Sequence, residues 1–473
     1  MTASPLPSPL LAQLAELVGA RSVLTQAADT EPFLTDWRNR FTGRAEAIVL
    51  PETTAQAAAI VQACRRQGIA IVPQGGNTGL CGGATPLQIG RSIVLSTRRM
   101  NRVRDIDPEN DTITVEAGCT LQAVQHAARQ AGRLFPLSLA AEGTCTIGGN
   151  LATNAGGTQV LRYGNARDLT LGLEVVLADG QIWDGLRGLR KDNSGYDLKH
   201  VFIGSEGTLG LITAATLKLF AMPRARATAL AAVESVDAAI ALLARMRAAA
   251  GSTLTAFEVM SRESLQPVAA LLGLQRLPLA TEAPWAVLLE VSDHEDEPHA
   301  RALLEAGLNP ETGAPIVDAV VAASLAQSEH LWRLREAIPE AQARAGGNVK
   351  HDISLPLRSV GDFVRRTGDD LARQFAWAQP LVFGHLGDGN LHYNVGCRSG
   401  VPAQTAFEHE AALNQIVYEA VVARGGSISA EHGLGQLKRE MAARYKAPVE
   451  LALMQSLKRA LDPDGRMNPG KLL

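Results

Sequence analysis

Short apolar runs in the first half of the chain predict alternating strands and helices, punctuated by glycine. Ser8-Pro9 ahead of an apolar run to Gly19 reads as a capped helix. IVLP (48–51) reads as a strand. Thr53 or Thr54 can then cap a helix through Arg66, stopped at Gly68. IAIV (69–72) is a second strand and runs directly into PQGGNTGLCGG (73–83). IVL (93–95) and TITVEAG (112–118) read as strands, and 121–132 as a helix ending at glycine. A second glycine-rich run, EGTCTIGGNLATNAGG (142–157), follows. Residues 171–185 form a hairpin around Asp179-Gly180, and 201–219 a strand-like run.

The pattern changes near Met222-Pro223, where Ala-rich strand and helix units begin to alternate. Strands are expected at 228–233, 285–292 and 349–356, and helices from Ser235 to Ala250 and over 297–306. PIVDAVVAAS (315–324) leads into one long helix expected to reach Ala345. LVFGH (381–385) and LHYNV (391–395) flank a tight turn, and helices over 404–424 and 448–461 finish the chain. The picture is a glycine-rich α+β domain, a second α+β domain and a helical tail. The expected boundaries are a helical segment at 1–44, the first domain at 45–221, the second at 222–403 and the tail at 404–473.

At 473 residues the chain is too long for a single core. Its formal charge of −3 gives no electrostatic case for nucleic acid or an anionic membrane. The five cysteines are scattered and none is in CxxC spacing, which points to a reduced, cytoplasmic setting. The N-terminal stretch lacks a basic region ahead of its apolar part, so no secretory signal is expected. No apolar run reaches the roughly 18 residues of a membrane span.

Either glycine-rich loop alone could be a surface turn. The first, however, follows a strand and offers consecutive backbone N–H groups unobstructed by Cβ atoms, a nest suited to a pyrophosphate. It lacks the Lys-Ser/Thr of a Walker A loop and matches the Rossmann pattern poorly. Two such loops in one domain favour a large anionic cofactor over two unrelated turns.

PQGGNTGL, TIGGNLATNAGG, RYGNARDLTLGLEVVLADG, LRKDNSGYDLKHVFIGSEGTLGLIT and DPDGRMNPGK follow one another over about 45–220 and 330–473. In that order they resemble the vanillyl-alcohol-oxidase (PCMH) type of FAD flavoprotein. The nearest branch is the D-2-hydroxyacid dehydrogenases, which take in D-2-hydroxyglutarate and FAD-dependent D-lactate dehydrogenases and the flavin subunit of glycolate oxidase. The resemblance implies a two-part PCMH-type FAD-binding domain, an α+β substrate or cap domain with an antiparallel sheet, and a short C-terminal helical segment returning to the FAD domain. It implies that Pro73, Gly75, Gly76, Asn77, Thr78, Gly79 and Leu80 wrap the FAD pyrophosphate. Thr144, Gly148, Gly149, Asn150, Thr153, Asn154 and Gly157 would line the flavin and ribityl chain. Glu206, Gly207 and Ile212 would lie toward the adenine, and Asn468 would return to the isoalloxazine. Neither loop contains a histidine, and Cys81 and Cys145 match no linkage position of the family, so the FAD is expected to be noncovalent.

GHLGDGNLHYN (384–394) places His385 and His392 on either side of a Gly-Asp-Gly turn, and SAEHG (429–433) follows. The turn rules out a helix and lets two strands bring both imidazoles together. With Glu431 as third ligand, two histidines and a carboxylate leave open positions, as in catalytic zinc sites. Iron(II) or manganese also suits the donors. Taken alone, the histidines fit an ordinary surface turn better than a metal site; SAEHG and the resemblance reverse that preference. Adjacent residues point apart in an extended chain, so His432 is cast as general base rather than ligand. The alternative is a histidine that only orients Glu431.

LWRLREAIPEAQ (331–342) reads as a helix whose Arg333 and Arg335 fall on different faces. The resemblance implies that Arg335 and Lys350 bind the substrate carboxylate and that Asn394 adds a polar contact. His351 and Asp352 beside Lys350 are expected to point away. Pro339 stands where hydroxyglutarate dehydrogenases of the family carry a hydroxyl residue.

The expected reaction is oxidation of a D-2-hydroxy acid to the 2-oxo acid, with hydride passing from C2 to flavin N5. Electrons would go to an electron-transfer flavoprotein, a quinone or a cytochrome rather than NAD, and a homodimer is expected. The alternatives are the flavin subunit of a multi-protein glycolate oxidase and an oxygen-using alcohol oxidase.

Overall fold

A computed structural model describes residues 8–473, with side chains from Pro9 onward, so the expected Ser8 side-chain cap and the stretch read for a secretory signal lie wholly or partly outside the described residues. The chain divides into two compact units. The first comprises the chain up to Gly156, then Gly164–Met222 and Glu431–Leu473; the second comprises Gly157–Tyr163 and Pro223–Ala430. The second unit therefore runs past the expected boundary at residue 403. The return to the first unit begins between Ala430 and Glu431, inside the SAEHG motif.

Among the described residues, the first unit holds a two-stranded ribbon, Arg133–Leu134 with Phe220–Ala221, and two larger sheets. One has four strands, in which Ser92–Ser96 lies parallel to both Ile48–Val49 and Ala70–Gln74. The helix Thr54–Arg66 supplies the crossover, capped as expected by the Thr53 side chain on the Gln56 amide. Its apolar face, including Ile60, Val61 and Cys64, packs with Leu10, Ile71, Ile93 and Leu211 in a closed core. The other sheet has five antiparallel strands, with Gly210–Lys218 between Thr112–Glu116 and Thr170–Leu177. The run expected to be strand-like from residue 201 instead opens with a helical turn, Lys199–Phe202. Gly204, Glu206 and Gly207 then adopt positive φ, which extended chain cannot accommodate.

The second unit is built on one seven-stranded antiparallel sheet. Its order is Asp318–Val321, Ala225–Val233, Trp285–Asp293, Leu254–Ser261, Ala378–Gly384, Asn390–Cys397 and Asp352–Ser354. Leu331, Leu334, Ile338 and Ala341 pack against Met260, Leu288 and Phe383 of this sheet. The single helix expected through Ala345 is two, Leu325–Glu336 and Ile338–Arg344. Pro339 provides the reason, because its ring cannot continue the preceding turn yet suits the start of a new helix. The expected 404–424 helix is likewise broken at His409. Among the described residues, no helix is long and apolar enough to cross a membrane.

Candidate active site

In the first unit, the strand Ala70–Gln74 delivers the loop at 75–80, and no helix opens directly after it. This loop packs tightly against the second glycine-rich run. A Cβ on Gly76 would lie 2.0 Å from the Thr144 carbonyl oxygen, and one on Gly75 would lie 2.1 Å from Thr146 Oγ1. Polar side chains of both loops are engaged locally. Asn77, at φ 57, donates to the Thr35 carbonyl at 2.8 Å; Thr153 donates to the Gly149 carbonyl at 3.1 Å. Asn154 accepts the Arg167 amide at 2.9 Å, and Asn150 donates to Cys145 Sγ at 3.5 Å. These side chains shape the loops, so the groups left to grip an anion are backbone amides.

Three observations fit FAD to this cradle. Gly79 has an ordinary φ and nothing within 4 Å of where a Cβ would stand, so neither conformation nor protein packing demands glycine there. Thr146 Oγ1 and Asn468 Oδ1 are buried without a hydrogen-bond partner. Such atoms are costly unless something polar meets them. Arg98 lies over the Phe33 ring and donates to the carbonyls of Gly75 and Gly76 at 3.3 and 3.5 Å. Its partial burial lowers its pKa. Sequence reasoning missed Arg98, which carries no spacing signal of its own.

Glu206, expected toward the adenine, also organises the chain around it. Its buried carboxylate accepts the amides of Leu434 and Gly435 at 2.7 and 2.8 Å. Burial raises its pKa, against the pull of those amides, Lys438 and Lys471. Asn468 in turn donates to the Glu206 and Gly83 carbonyls at 2.6 and 2.9 Å. GSEG and NPGK thus fasten the segment that follows SAEHG.

In the second unit the two histidines meet as the turn requires. Phe383 pairs with His392 across the hairpin, and Gly384, at φ 149, releases His385 from the end of its strand. The two rings stand 5.7 Å apart, nearly perpendicular. A Cβ on Gly389 would lie 2.3 Å from the Leu355 carbonyl, so the turn has room only for glycine.

Asp352 overturns one expectation. His351 does point away, donating from Nδ1 to the Tyr393 carbonyl at 2.9 Å and standing edge-on to Tyr418. Asp352, on the opposite face of the same strand, is paired in register with His392, its carboxylate 3.8 Å from Nδ1. Alternation along the strand sets both orientations. Asp352 is buried and also accepts Asn390 Nδ2 at 2.9 Å and the Ala430 amide at 3.1 Å. It and His392 offer ligand atoms within 4.8 Å of each other.

Arg335 is buried and Arg333 exposed, as the helix spacing predicts. Arg335 Nε donates to Glu258 Oε2 at 2.7 Å, while His385 Nδ1 bonds Glu258 Oε1 at 2.6 Å. The pairing of Val259 with Gly384 places Glu258 beside His385 on the adjacent strand. Burial alone would raise the Glu258 pKa, but His385 and Arg335 outweigh it and hold it at about 2. Breaking such a buried pair by removing one partner costs roughly 3–5 kcal/mol. Arg335 also lies 4.8 Å over the Phe383 ring, whose centroid is 4.8 Å from that of His392. Sequence reasoning missed Glu258, which sits in an unremarked apolar strand. Asn394 is turned to internal work: it donates to Gln342 Oε1 at 2.9 Å and accepts the His351 amide at 3.3 Å.

The chain passes from Ala430, held by Asp352, directly to Glu431 and His432. Residues 430–432 are bent rather than extended, and Gly433 has φ 74. The expectation that Glu431 and His432 point apart therefore fails: His432 Nε2 lies 3.8 Å from Glu431 Oε1.

Comparison with known proteins identifies the family. The model of an FAD binding domain matches residues 45–185, and that of the C-terminal domain of FAD linked oxidases matches 222–472. The chain belongs to the FAD linked oxidases and, within them, to the D-2-hydroxyacid dehydrogenase branch. It is an FAD-dependent oxidoreductase acting on a CH–OH group. It is 41% identical to the mitochondrial D-2-hydroxyglutarate dehydrogenase of Bos taurus, over 98% of this chain and 83% of the relative. It is 39% identical to the D-2-hydroxyglutarate dehydrogenase of Xanthomonas citri pv. viticola, over 98% of this chain and 97% of the relative. Among solved structures, p-cresol methylhydroxylase with substrate bound superimposes with a TM-score of 0.75 at 16% identity, over 98% of this chain and 96% of that one. Alkyldihydroxyacetonephosphate synthase does so with a TM-score of 0.75 at 17% identity, over 99% and 86%. At such identities the likeness shows the fold.

Proposed function

We propose that this protein oxidises D-2-hydroxyglutarate to 2-oxoglutarate with noncovalent FAD and a divalent metal, zinc by preference. The observation that carries the reading is the group of buried Arg335, Glu258, His385 and Asp352 with half-buried His392, gathered from neighbouring strands and one helix. The names of the relatives favour hydroxyglutarate as the substrate.

His385, His392 and Glu431 would hold the metal. Glu258 on Nδ1 of His385 directs that ring's lone pair to Nε2, the atom a metal would take. Asp352 fixes Ala430, and so sets where the next residue, Glu431, begins. A metal so held would supply Lewis acidity toward the C2 hydroxyl. His432 accepts that hydroxyl proton. Arg335 and Lys350 orient the carboxylates, with Arg335 kept in plane by its bond to Glu258. Asn394 acts through Gln342 rather than by touching substrate. Bound FAD supplies the acceptor for the two electrons and hydrogen leaving C2. A carrier other than NAD, such as an electron-transfer flavoprotein, would be the final electron acceptor.

The test is anaerobic flavin bleaching with D- and L-hydroxy acids from lactate to hydroxyglutarate and malate. Fast bleaching by D-2-hydroxyglutarate is expected. Preference for an L-acid or for glycolate would overturn the assignment. Release of FAD on acid denaturation checks the noncovalent mode.

A further inference from the structure

Glu258 belongs to none of the motifs that mark this family in the sequence, yet it is the fully buried carboxylate to which two proposed functional residues are tied. Its two oxygens are divided: Oε1 meets His385 Nδ1 at 2.6 Å and Oε2 meets Arg335 Nε at 2.7 Å. His385 and Arg335 are themselves almost wholly buried, at 7% exposure each. The rigid strand Leu254–Ser261 supports the carboxylate from below, with Val259 and Met260 paired to Gly384 and Phe383.

We propose that Glu258 is a positioning residue that links the metal subsite to the carboxylate subsite. One oxygen fixes the tautomer and ring plane of His385, so that Nε2 is the ligand atom. The other fixes the guanidinium plane of Arg335, so that its terminal N–H groups present one face to a substrate carboxylate. A ring shifted by a lost Glu258 would disturb Arg335 as well, because both bonds end on one carboxylate. Glu258 neither touches substrate nor binds the metal; it acts through its two partners. The inference rests on the proposed roles of His385 and Arg335.

The test uses the full-length holoenzyme carrying Glu258→Gln. A glutamine keeps one acceptor oxygen but turns an NH2 toward the second donor, so at least one bond is lost. FAD content and the melting transition are compared first, and zinc affinity is then read by chelator competition. The expected result is a zinc affinity lower by about 10–100-fold. At saturating zinc, KM for the hydroxy acid should rise by about tenfold or more, with unchanged FAD content. Because Glu258→Gln leaves Arg335 as a buried cation without its carboxylate, which works against folding, the double variant Glu258→Gln/Arg335→Met removes both charges. It isolates the His385 arm, and its zinc affinity should fall by the same factor. Wild-type zinc affinity and KM in folded Glu258→Gln, or wild-type zinc affinity in the double variant, would overturn the proposal. His385→Ala and Arg335→Ala separate the two levels. If they lose zinc and substrate affinity while Glu258→Gln does not, only the role of Glu258 falls. If neither loses anything, the proposed function falls and Glu258 with it.

Discussion

The glycine-rich cradle of the first unit and the ionic cluster of the second solve opposite problems. The cradle grips by absence. Gly75 and Gly76 let two loops approach to distances that forbid a Cβ, and Gly79 leaves space that no protein atom fills. The cluster works by presence, burying charged and ligating side chains that only their mutual bonds make tolerable. A cradle of backbone amides is sequence-tolerant but intolerant of bulk. A cluster of side chains tolerates bulk outside it and almost no change of chemistry within it.

The largest effect should come from loss of the proposed base. His432→Ala is expected to retain FAD and fold while flavin reduction slows by about 10²–10⁴-fold. Near-normal stopped-flow bleaching would remove His432 as base. The next contrast is within the cradle. Gly79→Val should leave the melting transition unchanged yet weaken FAD binding by about 10–100-fold, because the cost falls on the ligand alone. Equal loss of stability and FAD would show that Gly79 serves the fold instead.

A smaller effect is expected from Asp352→Asn, which retains an oxygen acceptor but loses the charge beside His392. Zinc affinity should fall by about tenfold, read by metal content after dialysis. The smallest concerns a buried charge that the proposed chemistry does not use. Burial pushes the Lys471 pKa down to about 8, partly offset by Glu206. The unfolded chain then binds more protons between the folded value and about 10.4, so stability should rise with pH across that window, by roughly 1–3 kcal/mol. Denaturant titrations at pH 7.5 and at about pH 10 measure this, and Lys471→Met should flatten the rise; an unchanged slope would show that Lys471 is not its source.

What could be read from sequence follows the same division. The cradle was legible because glycine runs are contiguous and their order along the chain is distinctive. His385 and His392 were legible because a Gly-Asp-Gly turn makes their convergence local. Glu258 and Asp352 were not, since each reaches the site only through strand pairing that joins segments far apart in sequence. Glu206 was located by its motif, but its bonds to the amides of Leu434 and Gly435, more than two hundred residues away, were not. Pro339 shows the reverse case: the residue was noticed as a chemical departure, while its structural effect, a helix break, went unforeseen.

The pairings of Gly384 with Val259, Phe383 with His392 and His392 with Asp352 make strand register the alignment device of the site. A slip of one residue would replace both histidines at once and send Leu391 or Tyr393 to where His392 stands. Segment length between residues 384 and 390 is therefore as constrained as residue identity. Variation in length can be absorbed at the exposed turn near Gly400, where the strand has already ended and no side chain is being counted into place.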